Sequence, residues 1–80
     1  MTHPAQAQKW PITLPNVDGV EEVIGRGAVR MVRRERITAA LWNLEHCPGQ
    51  YIDTMAASVD DEWAAYAAFE QAEIKEAVPA

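Results

Sequence analysis

Residues 26–46 read RGAVRMVRRERITAALWNLEH and hold five of the chain's seven Lys and Arg side chains together with its clearest helical stripe. Ile37, Ala40, Leu41 and Leu44 fall at i, i+3, i+4 and i+7, the spacing that lines four apolar side chains along one face of an α-helix. A helix over 35–46 is therefore predicted. His46 in its last turn suits the negative end of the helix dipole, and Pro48 and Gly49 forbid continuation. Extended upstream, the same stripe demands positions 30, 33 and 34, and all three are Arg. The apolar phase breaks there, and Val29 and Met31 alternate with Arg30. Residues 28–33 thus read either as a short strand or as the first turns of one long helix that project Arg into solvent.

The rest of the chain is short and acidic. Eighty residues with a net charge of −5 make one domain, and folding hides only a little over ~60% of the surface of so small a chain. Three Trp, two Tyr and one Phe supply the large apolar areas a small core requires. Cys47 is the only cysteine, which rules out a disulfide framework, leaves zinc without its soft ligands and fits a reducing cytoplasm. No run is apolar enough to span a bilayer, and the opening MTHPAQAQKW lacks the apolar segment of a signal peptide, so a cytoplasmic protein with no membrane partner is expected. Charge is segregated. Arg26, Arg30, Arg33, Arg34 and Arg36 face only Glu35, a local +4, whereas 53–76 carries seven acids against Lys75, a local −6. Either the two zones neutralise each other within the monomer or are merely solvated faces, or they are surfaces for partners.

Residues 1–9 offer nothing to bury and read as a disordered tail, with 10–80 as a single globular domain. Trp10–Leu14 suits a short edge strand whose natural partner is 28–33. In NVDGVEEVIGRG, Asp18 reads as a cap with Glu21 reaching back, followed by a short helix that Gly25 and Gly27 stop. Downstream, Ser58 reads as the cap of a long Ala-rich helix, with Asp60, Asp61 and Glu62 in its first turn. Val59, Trp63, Tyr66, Ala67 and Ile74 make its apolar stripe, and Phe69 falls to the side. The expectation is that Trp63 and Tyr66 pack on helix 35–46. The predicted fold class is mainly α, about three helices in one small domain, with an α+β variant if 10–14 and 28–33 pair as a two-stranded ribbon.

No catalytic constellation appears: there is no carboxylate pair with an apolar pocket, no Ser/His/Asp set and no metal spacing, and His46 next to Cys47 has no third group to orient it. The reading is a binding protein and not an enzyme, with no cofactor or metal. Exposure and charge single out Arg26, Arg30, Arg33, Arg34, Trp42 and Phe69 as partner-binding residues. Two classes of partner compete. A helix, glycine turn and helix resemble helix-turn-helix geometry, with Arg26–Arg36 as a phosphate-contacting patch. Against that, a pI near 4.8 and the acidic final segment disfavour a duplex and favour a protein surface.

The run ITLPNVDGVEEVIGRGAVRMVRRERITAALWNLEHC, followed by an acidic Ala-rich helix, resembles the small transcription regulators encoded by Xanthomonas phages. The resemblance covers most of 10–80 without a short diagnostic motif. It implies a non-enzymatic protein of host takeover that binds the large subunits of host RNA polymerase; apart from the resemblance, a monomer is expected when the chain is free. The resemblance further implies that the protein inhibits transcription initiation and extends its effect to termination as an antitermination factor. No site residue is carried over by the resemblance.

Overall fold

The computed structural model describes residues 9–20 and 25–77, the side chains of 76 and 77 excepted. Two long helices dominate it. Helix α1 spans Arg26–His46, a 3-10 turn spans Gly49–Tyr51, and helix α2 spans Ile52–Ala77. The two helices run antiparallel as a hairpin, and residues 9–17 lie across it as an extended strap.

The ambiguity over 28–33 resolves as helix. Arg is a strong helix former, and its long aliphatic stem covers apolar surface while the guanidinium reaches a polar partner, so Arg in the buried stripe ends nothing when carboxylates face it. Arg30 is answered by Glu70 and Glu73, and Arg36 by Glu62. No strand forms among the described residues, and the ribbon expected between 10–14 and 28–33 is absent there. The short helix expected after Asp18, with Glu21 in its capping box, falls mainly on 21–24, outside the described residues, as does most of the tail expected over 1–9. Around it, Asn16 Oδ1 accepts from the Asp18 amide at 2.9 Å, and the Gly25 amide donates to Val20 O at 3.2 Å. Gly25 takes φ +108°, a left-handed conformation that favours glycine, immediately before α1. Gly27 instead lies inside the first turn of α1 and stops nothing.

Helix α2 begins six residues before Ser58. Met55, Ala56 and Ala57 are good helix formers, the chain enters from a 3-10 turn, and Ser58 sits in the interior without capping. Its buried face also differs from the apolar stripe. Val59 and Glu62 are buried, and Met55, Tyr66, Phe69 and Glu73 are half-buried, at alternating steps of four and three residues. Val29, Arg33, Arg36, Ala40 and Asn43 of α1, with Cys47 just past its end, follow the same rhythm, the seam of a two-helix coiled coil. Trp63, expected to pack on α1, is 53% exposed, and Phe69 lies nearer the seam. Leu41, named in the α1 stripe, is also exposed, while Ala39 and Asn43 are buried.

Asn43 explains how the strap stays in place. Its side chain is 6% exposed and clamps one residue of the strap in both directions. The Ile12 amide donates to Asn43 Oδ1 at 2.9 Å, and Asn43 Nδ2 donates to Ile12 O at 3.1 Å. A side-chain amide thereby replaces the neighbouring strand that a sheet would provide. Arg36 Nη1 donates to Pro15 O further along, and the Trp10 ring meets Tyr51 at 5.0 Å.

Asn43→Leu deletes both clamp bonds and strands the Ile12 amide and carbonyl. It is expected to destabilise the protein by about 2 kcal/mol, in the range for unsatisfied buried polar groups. The loss should appear as a lower urea midpoint, with the Trp10 environment changing in fluorescence while far-UV helix content holds.

Candidate functional site

The arginine stretch divides into side chains that hold the hairpin and one that the hairpin displays. Arg36 forms a two-pronged pair with Glu62, Nε to Oε1 at 2.7 Å and Nη2 to Oε2 at 2.9 Å. Glu62 is only 8% exposed, and this planar fork is the geometry that best satisfies a carboxylate removed from water. The Arg36 hydrogen bond holds the Glu62 carboxyl below its ordinary range, overcoming burial, with the nearby charges of Arg36 and Arg33 adding to the effect. Arg36 is correspondingly raised by its hydrogen bond to Glu62. Arg33 is half-buried, and its Nε has no hydrogen-bond partner. Arg30 pairs with Glu73 and, at 3.4 Å, with Glu70, and its hydrogen bond to Glu73 raises its pKa. Arg26, in the first turn of α1, has an interaction of its own and is not free.

Arg34 is different. It is exposed, and its position is set by Tyr66 of α2: Nε donates to the phenol oxygen at 3.0 Å while the guanidinium lies 5.9 Å from the ring centroid. Thr38 follows one turn later, its hydroxyl donating to Arg34 O at 3.1 Å. Together they form a polar ridge with a groove on each side. On the strap side, Ile12, Glu35, Ala39 and Trp42 complete a shallow groove of about 350 Å³. On the α2 side, Ile37, Leu41, Trp63 and Tyr66 complete one of about 530 Å³. Trp42 is half-buried and stacks on His46 at 3.9 Å between ring centroids, which fixes one wall.

Of the six residues predicted to bind a partner, Arg34 and Trp42 meet in one groove. Arg30 and Arg33 belong to the inter-helix seam, Phe69 is half-buried on the seam face of α2, and Arg26 stands at the start of α1. The sequence reading missed Ile12, Leu41 and Trp63 as groove walls and Glu62 as the buried acid. A signal for Glu62 was present: it shares the four-and-three rhythm of Met55, Val59, Tyr66 and Phe69. Among the described residues no group of His, Cys, Asp and Glu is placed to hold a metal ion, and no helix is long and apolar enough to cross a membrane. No family model, curated protein or solved structure matches the chain.

Because the folded Glu62 has a lowered pKa, its contribution to stability is present above the unfolded carboxyl value, about 4.3, and is lost as pH falls through the lower folded value. Glu62→Gln should therefore flatten the acid limb of a stability–pH profile. At neutral pH it should cost about 3 kcal/mol, the scale for leaving one member of a buried pair alone. Urea unfolding of both proteins between pH 7 and pH 3 measures both effects.

Proposed function

We propose that the protein is a non-catalytic regulator that docks on bacterial RNA polymerase through the strap-side groove of α1 and inhibits transcription initiation by occupying a surface. The partner follows from the resemblance to phage transcription regulators, and an effect on termination belongs to the same proposal. The observation that carries the docking reading is the placement of Arg34 and Trp42 on one groove, an exposed guanidinium held by Tyr66 beside a ring held by His46. Arg and Trp are the side chains that dominate interface energies, and both are restrained here before any partner arrives, which lowers the entropic cost of docking.

The same ion pairs bear on the nucleic-acid alternative, in which Arg26–Arg36 contacts phosphates. Arg30 and Arg36 already face Glu62, Glu70 and Glu73, so few positive charges are left to release counterions from a duplex. That supports a protein partner.

Arg34→Glu combined with Trp42→Ala is expected to weaken binding of purified bacterial RNA polymerase at least about thirtyfold, the scale of a hot-spot loss of 2 kcal/mol. Repression of promoter-dependent initiation should fall with it, while circular dichroism stays unchanged. Retention of polymerase binding by that variant would remove this groove as the contact. A low-salt gel shift of random duplex that fades steeply with added salt would transfer the proposal to nucleic acid.

A further inference from the structure

The largest apolar side chains that α2 leaves in solvent are not scattered. Ile52, Trp63 and Ile74 are 50%, 53% and 55% exposed, and they are spaced by eleven residues each. Eleven residues close three helical turns to within about 20°, so the three side chains stand in one line, about 16 Å apart along the axis. The line extends nearly the full length of α2, on the side where Leu41 of α1 and Tyr66 line a groove with Trp63. The α1–α2 seam does not cover it, and neither does the strap, which is held by Asn43 and Arg36 of α1 and whose Trp10 reaches Tyr51, short of the exposed Ile52. The docking groove proposed above, with Ile12 and Trp42, leaves this line unused.

We infer that the line is the interface with a second copy of this chain, in an antiparallel α2–α2 pair with its two-fold axis at Trp63. The spacing is its own complement under that operation. Trp63 meets Trp63 of the partner subunit, Ile52 meets the partner's Ile74, and Ile74 meets the partner's Ile52, so every apolar side chain in the line finds an apolar one. A parallel pair would match the same side chains, each to its own counterpart, but would set the two first turns, each with Asp53, side by side. Charge favours the same direction. The first turn of α2 carries Asp53 and the last turn Lys75, and antiparallel pairing brings Lys75 towards the partner's Asp53 while opposing the helix dipoles. Ala56 and Ala67 lie along the line between the large side chains, and Glu70, also on it, is drawn towards Arg30 of its own chain. A self-complementary patch of this kind closes at two chains, in place of the free monomer expected from the sequence. One helix face is a small interface, below roughly 1,200 Å² in total, and the dimer is accordingly a weak, reversible one.

Sedimentation of the full chain tests the inference without reference to polymerase. From about 5 to about 500 µM, a range suited to an interface of that size, the mass should pass from one chain to two. Trp63→Glu changes a side chain half in solvent already; it should keep the helical circular-dichroism signal and raise the midpoint concentration at least tenfold. An independent arm fixes the direction. On a Cys47→Ser background, Ile52→Cys and Ile74→Cys chains mixed under mild oxidation should form 52-to-74 disulfides in severalfold excess over 52-to-52 and 74-to-74. A chain that stays single at the highest concentration would overturn the inference. So would a Trp63→Glu protein that associates like the parent, an excess of self-linked Ile52→Cys chains, or assemblies larger than two.

Discussion

One guanidinium, that of Arg36, ties the hairpin together through its two-pronged pair with Glu62. It joins α1 to α2 near the middle of the hairpin, and through Pro15 O the same guanidinium reaches the strap. Three segments distant in sequence therefore meet at one side chain. A pair of this kind is an uncertain source of net stability, because both ions leave water to make it. Its effect on register is firmer. A one-turn slide of α2 against α1 would bury a carboxylate with no partner, whereas the same slide between two apolar stripes would cost little. The Arg30 pairs with Glu70 and Glu73 repeat the constraint towards the far end, and the Asn43 clamp extends it to the strap.

A seam built from ion pairs has a consequence for the surface. Val29, Ile37, Ala39, Ala40 and Val59 are the buried apolar side chains among the described residues, a small set with no aromatic in it. The chain's large apolar groups are consequently displaced outward: Trp63, Ile52 and Ile74 onto the open face of α2, Trp42 onto the back of α1. In a domain of this size the usual division is reversed, with charge inside the hairpin and rings at its margins. Such an arrangement leaves apolar groups at the margins, and it commits Arg30 and Arg36 with Glu62, Glu70 and Glu73 to internal neutralisation.

How much of this was legible in the sequence follows from that reversal. The end of α1 at His46 was legible because Pro48 and Gly49 are local signals, and the mainly helical class followed from the period of 35–46 and the Ala-rich tail. Apolar periodicity then misdirected the reading of both seams. It placed Trp63 inside and Phe69 aside because it treats Arg and Glu as solvent-seeking, and it broke α1 at Arg30 and Arg33 for the same reason. The strap was misread differently. Trp10–Leu14 is extended, as its prolines and alternation suggest, but its hydrogen-bonding partner is a side-chain amide thirty-one residues away, and no propensity encodes that. The segregation of charge was itself the informative clue: of the readings it allowed, neutralisation within the monomer accounts for Arg30 and Arg36.

Arg34 shows why the two readings of the arginine stretch need not compete. Positions 30, 33 and 36 turn towards α2 and the strap, while 34 lies on the opposite flank, one turn from Thr38 and two from Leu41. Its guanidinium is nonetheless positioned from α2, because Tyr66 on the edge of the seam meets it with both a hydrogen bond and its ring face. The ion pairs set the register of the hairpin, the register sets where Tyr66 stands, and Tyr66 sets where Arg34 points. Through that chain of contacts the buried charges organise the ridge between the two grooves, so the polar seam and the exposed surface are one piece of architecture.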